Sequence, residues 1–199
     1  MNVQLLLYDG FRELDLFGAQ EVFTRTAAAG ARISVERVRV GSGTVTSGYG
    51  LQVHVPPVLG SGRTPDVLLV PGGGWLPTAA ANPWTARQVA LLAAAIANTH
   101  AGGILVAAVG WGVVLLAEGG LVEGRSVAAP AGAVERLAEA GATVVPAPVV
   151  DDGDLVSGVG AGGGIAVALR LLERAGGADL AARIAVDLGH PLVPAEVTG

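Results

Sequence analysis

Cysteine is absent from all 199 residues, and that one absence removes disulfides, thiolate metal sites and every mechanism that begins with thiolate attack. Histidine is scarce. His54, His100 and His190 stand too far apart for a local pair of metal ligands, and Asp151, Asp152 and Asp154 lack the further ligands of an EF-hand loop, so neither a metal nor a cofactor is expected. Although 51% of the residues are hydrophobic, glycine, proline or charge interrupts every apolar run before the roughly 18 to 20 residues of a membrane span. The opening Met1-Asn2-Val3-Gln4-Leu5 has no basic n-region or cleavage site. The expectation is a soluble, cytoplasmic protein. The 12 basic residues are scattered under a net charge of −5, which leaves no footprint for a phosphate backbone, and no helix-turn-helix or basic segment marks a transcription regulator. Nucleic acid is not an expected partner. There is no Gly-x-Ser-x-Gly element, and Ser42, Ser126 and Ser157 have no visible His and Asp partners, which excludes an ordinary serine hydrolase.

The chain carries an alternation of buried strands and helices with no Pro/Ser/charge-rich linker, so residues 1–199 are expected to form a single domain. Val3 to Tyr8 reads as a buried strand and Glu13 to Ala29 as a helix, with Leu14, Phe17, Val22 and Phe23 at roughly helical spacing. Arg32 to Val40 and Leu51 to Val55 alternate as partly exposed strands of an edge or hairpin. Asp66 to Val70 is an all-apolar strand running into Pro71-Gly72-Gly73-Gly74, after which Asn82 and Pro83 are expected to open a helix reaching about Asn98. Further strands are expected at Ser126 to Ala128, Thr143 to Val145, Val149-Val150 and Leu155-Val156, with helices at Ala131 to Ala140, Gly160 to Glu173 and Ala178 to Asp187. Buried parallel strands flanked by helices predict a three-layer α/β/α sandwich whose site lies beyond the carboxyl ends of the strands.

The segment Ile104 to Ala117 is an apolar strand turning sharply into a helix, built like a nucleophile elbow without a nucleophile. The residue at the turn is Gly110, which offers no sulfur, oxygen or nitrogen for attack. Gly160-Ala161-Gly162-Gly163-Gly164 fails as a dinucleotide loop, because no Rossmann unit surrounds it, and close helix packing explains these glycines better.

Four segments in this order resemble the DJ-1/PfpI superfamily and particularly its isonitrile-hydratase-like members. They are Leu14-Asp15-Leu16-Phe17-Gly18-Ala19-Gln20-Glu21-Val22, Asp66 to Gly73, the elbow, and Val150-Asp151-Asp152-Gly153 leading into Gly160 and Gly164-Ile165; Ala117 to Arg125 is similar to the family's Gly-Leu-Leu-x-Gly-Arg region. The resemblance implies a flavodoxin-like, class I glutamine amidotransferase-like fold and a homodimer. It also implies where the chain departs from the pattern. The family's cysteine falls on Gly110, the threonine after it on Trp111, and its histidine on Pro130. The carboxylate of the first helix is matched by Asp15, and the backbone donors by the Gly72-Gly73 loop, through Gly73, and by Trp111.

Two readings stand for each of these side chains. Asp15 is either a pocket acid with a raised pKa, pressed by Leu14 and Leu16, or an ordinary carboxylate near a helix start. Trp111 either walls or plugs the pocket or packs in the core, and Trp75 either forms a second wall or covers a loop. Glu21 is expected to pair with Arg25 at i+4, and His100 to serve a helix end. The functional expectation is a family member without cysteine chemistry that binds a small polar molecule at Asp15, Gly73 and Trp111. The alternative is an isonitrile-hydratase-like hydrolase or lyase in which Asp15 acts as general acid/base on a bound water.

Overall fold

Burial on both faces demands uninterrupted apolar strands, and the three most apolar segments lie side by side at the centre of the sheet. The computed structural model describes residues 1–41, 43–55, 58–73, 85–160 and 162–198. Its strands are β1 (Asn2–Leu7), β2 (Ser34–Arg39), β3 (Gly43–Thr46), β4 (Gln52–Val55), β5 (Val67–Val70), β6 (Leu105–Val109), β7 (Ser126–Val127), β8 (Thr143–Val144), β9 (Val149–Asp152), β10 (Leu155–Gly158) and β11 (Ala195–Val197). The main sheet has the order β11-β9-β10-β6-β5-β1-β2. All neighbouring pairs in it are parallel except β9 with β10. Leu5, Leu6, Leu7, Leu68, Leu69 and the run Val106 to Val109 are fully buried, as both-face coverage requires.

The helices α1 (Glu13–Ala28), α5 (Gly163–Arg174) and α6 (Ala178–Asp187) pack on one another, and α2 (Ala86–Ala101), α3 (Gly112–Glu118) and α4 (Val134–Glu139) form the other group. The result is the expected three-layer α/β sandwich. Glu21 and Arg25 pair across 2.8 Å on the outer face of α1. His100 sits in the last turn of α2, with Nδ1 3.0 Å from the Ile104 carbonyl and Nε2 3.4 Å from Asp154, a structural placement.

Several boundaries differ from expectation, each for a tertiary reason. The described cap of α2 is Thr85, whose hydroxyl accepts from the Gln88 amide, which satisfies one of the orphan donors of the first turn; Asn82, Pro83 and Trp75 lie outside the described residues. Arg32 to Val40 and Leu51 to Val55 do not pair with each other. β2 is the parallel edge of the main sheet, whereas β4 joins β3 in a separate antiparallel ribbon. The segment from Ala131 begins as a 3-10 turn to Ala133 before α4 starts. β11 was not anticipated, because Ala195–Val197 is short and mostly exposed and owes its extended form to pairing with β9.

α1 and α5 approach so closely that a Cβ on Gly164 would stand 2.0 Å from the Asp15 carbonyl oxygen. No side-chain adjustment relieves a clash with backbone, so Gly164 sets the depth at which α1 seats. Gly164→Ala is expected to destabilise the fold by about 2–3 kcal/mol through forced helix separation, read as a lower urea midpoint.

Candidate functional site

The carboxyl ends of β1, β5, β6 and β10 share one edge of the sheet, and the loops leaving β1, β5 and β6 converge there on the first turn of α1. The β1 loop and the β5 loop are tied together: the Arg12 amide donates to the Gly72 carbonyl at 2.7 Å, and Phe11 bridges Gly73 in antiparallel fashion. A Cβ on Gly73 would lie 2.3 Å from the Gly10 carbonyl oxygen. Gly73 is therefore the residue that permits this loop contact.

After β6 the chain turns at Gly110, whose φ of +56° is left-handed, a conformation that glycine adopts without the Cβ penalty of other residues. The Gly110 amide donates to the Gly158 carbonyl at 2.8 Å, fastening the turn to the end of β10. The start of α3 is equally tight, since a Cβ on Gly112 would come within 2.6 Å of the Val70 carbonyl oxygen. The elbow geometry expected from sequence is present, and it presents backbone only.

Asp15 faces this turn. Its residue exposure is 1%. Oδ2 accepts from the Gly72 amide at 3.1 Å, and Oδ1 is buried with no hydrogen-bond partner. A Cβ on Gly110 would stand 3.3 Å from Oδ2 and one on Gly72 2.6 Å from it, so the carboxyl lies against both glycines. Burial pushes the Asp15 pKa from 3.8 to about 6, against the pull of the Gly72 amide and of the half-buried Arg12 guanidinium. The cause differs from the one suggested by its sequence neighbours. Leu14 is 51% exposed, whereas the carboxyl lies against the Gly72 and Gly110 backbones and the Asp15 main chain against Gly164 of α5.

Trp111 is half-buried against the core, and its indole reaches the 3-10 turn after Pro130: a Cβ on Gly132 would lie 3.2 Å from Cζ2. The ring thus packs between the core and this turn. The Trp111 amide nitrogen comes within 3.2 Å of a Cβ built on Gly72, so Asp15, Gly72, Gly110 and Trp111 meet at one point, with Gly73 one residue further along the loop.

Two residues escaped the sequence reading. Tyr8, directly after β1, is buried and its hydroxyl donates to the Pro71 carbonyl at 2.5 Å. Burial and the nearby Asp15 charge hold its pKa well above the usual value of 10, so it stays a neutral wall. Arg12 is the N-cap residue of α1, and its guanidinium acts on the Asp15 carboxyl. Among the described residues no group of three or more His, Asp or Glu side chains stands close enough to hold a metal ion.

What the arrangement can do follows from the carboxyl. Near neutrality it changes between an acceptor and a donor, and its Oδ1 is buried without a hydrogen-bond partner. Because its pKa is raised on folding, the native state holds the proton more tightly than the unfolded chain, a stabilisation complete below about pH 4 and lost as pH rises through about 6. Asn cannot ionise and keeps the acceptor for Gly72. Asp15→Asn is therefore expected to be the more stable protein above pH 6, by up to about 3 kcal/mol, with the difference closing below pH 4 in urea titrations.

Comparison with known proteins places this geometry. A family model described as the DJ-1/PfpI family matches residues 1–174. A Streptomyces lividans protein described as an uncharacterised protein in the cpoL 5′ region is 32% identical over 124 residues, covering 62% of this chain and 83% of that one. Among solved structures, Drosophila melanogaster DJ-1beta superposes with a TM-score of 0.77 at 22% identity, covering 96% of this chain and 98% of its own. A mutant of a DJ-1 superfamily protein from Salmonella typhimurium gives 0.76 at 25% over the same shares. An AraC family transcriptional regulator from Pseudomonas putida gives 0.79 at 20% identity, over 94% of this chain and 98% of that one. With the family model spanning most of its length and the flavodoxin-like sheet carrying its elbow and first-helix carboxylate at one edge, the chain belongs to the DJ-1/PfpI family.

Proposed function

We propose that this chain is a DJ-1/PfpI member working without covalent sulfur chemistry, a pseudoenzyme that binds a small polar molecule at the elbow, in which Gly110 stands at the family's cysteine position. The observation that carries this reading is the buried, unpartnered Oδ1 of Asp15 beside a turn that presents only backbone. A buried carboxyl oxygen without a partner is costly, and a ligand oxygen hydrogen-bonded to the protonated carboxyl removes that cost. The ligand chemistry is thus a carbonyl, carboxylate or phosphate oxygen taken by Asp15 within the wall formed by Trp111. Loss of a nucleophile lowers the rate of a covalent mechanism by several orders of magnitude while leaving binding geometry in place.

A second reading is supported by the same carboxyl. With a pKa of about 6, Asp15 is poised to move a proton on a bound water, the requirement for isonitrile-hydratase-like addition, and a well-placed acid/base group is worth roughly 10²- to 10⁴-fold in rate. Fluorimetric melting against small carboxylates, ketones and phosphate esters, with parallel assay of isonitrile hydration, separates the two. Binding without turnover is expected. An oxyanion held by the protonated carboxyl should bind about tenfold more weakly for each pH unit above 6, and Asp15→Asn should flatten that dependence. Turnover abolished by Asp15→Asn selects the enzyme, and a ligand whose affinity ignores both pH and the substitution removes Asp15 from either account.

The assembly proposed is a homodimer. Leu14 and Leu51 are about half exposed and Tyr49 is 70% exposed, while the Tyr49 amide donates to Glu13 at 3.1 Å, so the hairpin tip stands beside the first turn of α1. Such an exposed apolar cluster marks a contact surface. Light scattering is expected to give a dimer mass for the parent and a monomer for Leu14→Asp combined with Tyr49→Ser; a monomeric parent overturns the assignment.

A further inference from the structure

A cavity of about 440 Å³ lies on the α2 side of the sheet, between the carboxyl-terminal half of α2, the turn at 58–62 and the lead-in segments of β5 and β6. Pro65 and Ile104 in its wall precede β5 and β6, Val40 and Gly41 follow β2, and none of Asp15, Gly72, Gly110 and Trp111 lines it. Its volume falls within the range of small-molecule clefts.

The wall includes Gln4, on β1, with 2% of its surface exposed. The orientation of this amide is determined: Nε2 donates to Glu36 Oε2 at 3.1 Å, which leaves Oε1 as the free end, and that oxygen is buried with no partner. A glutamine carbonyl can only accept, so the group that satisfies it must be a donor. Two surrounding features add to the demand for positive charge. Glu36 puts a carboxylate behind the amide, and Asn98, Thr99 and the cap residue Gly102 bring the negative end of the α2 dipole to the same wall. The opposite charge is also supplied. Arg63 lines the cavity from the exposed turn and has no ion-pair partner among the described residues.

We propose that this cavity is a second ligand site, separate from the elbow, for a small zwitterion bearing an amine and a carboxylate, its ammonium group donating to Gln4 Oε1 and its carboxylate meeting Arg63. A simple cation would leave Arg63 facing like charge, and a simple anion would leave the Gln4 carbonyl and the helix end unsatisfied. The two demands together select one molecule carrying both groups.

The test uses the full chain and a matched probe set: 4-aminobutyrate, 6-aminohexanoate and L-norleucine against hexylamine and hexanoate, with amide chemical shifts recorded by NMR. Saturating shifts at residues 95–104 and 59–64 are expected for at least one zwitterion, with the amine and the acid alone at least tenfold weaker. Gln4→Met, which keeps the length and apolar bulk but removes the acceptor, and Arg63→Ala are each expected to weaken binding about tenfold, while Asp15→Asn leaves it unchanged. Should Gln4→Met not fold, Arg63→Ala, on an exposed turn, carries the test alone. No saturating shift with any zwitterion, binding indifferent to the variants that fold, or equal affinity for the singly charged probes overturns the assignment.

Discussion

The closeness of three backbones around one carboxyl governs this structure. Asp15 is buried because α5 packs onto its peptide at Gly164, because the β5 loop presses against its carboxylate at Gly72, and because the elbow turns beside it at Gly110. Each approach is shorter than a side chain permits, or nearly so, which is why all three positions are glycine. Burial then drives the pKa toward neutrality, since removing water penalises the charged form more than one amide hydrogen bond and a half-buried guanidinium restore. Packing and chemistry at this edge are thus one phenomenon: loosening the α1–α5 contact would both destabilise the core and return Asp15 to the behaviour of a solvated carboxylate.

The two ends of the sheet answer different demands. The elbow end keeps an unsatisfied carboxyl oxygen and a bare backbone turn. Beyond β9 and β10, by contrast, polar groups are heavily paired. Asp151 accepts from Arg170 at 2.8 Å and Arg174 at 2.5 Å. Arg125 reaches both Asp152 and Asp154, and Thr198 donates to Asp152 at 2.7 Å. Although burial pushes the Asp152 carboxyl up, hydrogen bonds from Thr198 and Arg125 hold it below its usual range. Such pairing does more to hold the antiparallel return and the last strand in register than to add net stability, because desolvation offsets much of the Coulombic gain. Among the described residues four buried side-chain oxygens lack a partner, those of Gln4, Glu13, Asp15 and Gln20, and the two proposed sites use Asp15 and Gln4.

Much of this was legible along the chain. A strand buried on both faces must be apolar throughout, so β1, β5 and β6 announced themselves, and the amphipathic spacing of α1 and the final helix located them to within a residue. The elbow was legible because Gly110 separates an apolar strand from an apolar helix, and the absence of cysteine is a fact of composition that no folding alters. Asp15 stood out through a resemblance of motifs. Its environment did not: Leu14, its neighbour in sequence, points to solvent, while Gly72, Gly110 and Gly164, remote in sequence, surround it.

What required three dimensions is whatever depends on segments meeting. β11 is extended because β9 offers it a parallel edge, and β4 is paired by β3 in a ribbon outside the main sheet. The glycines that local reading assigns to turns or helix packing become, on folding, the spaces into which other backbones fit. Tyr8, Arg12 and Gln4 carry no local signal of consequence, since their roles arise from neighbours between 32 and 63 residues away or from burial itself. Local periodicity is written residue by residue and survives in the linear chain. Desolvation and hydrogen-bond satisfaction are properties of a surrounding, and a surrounding exists only once distant segments have packed.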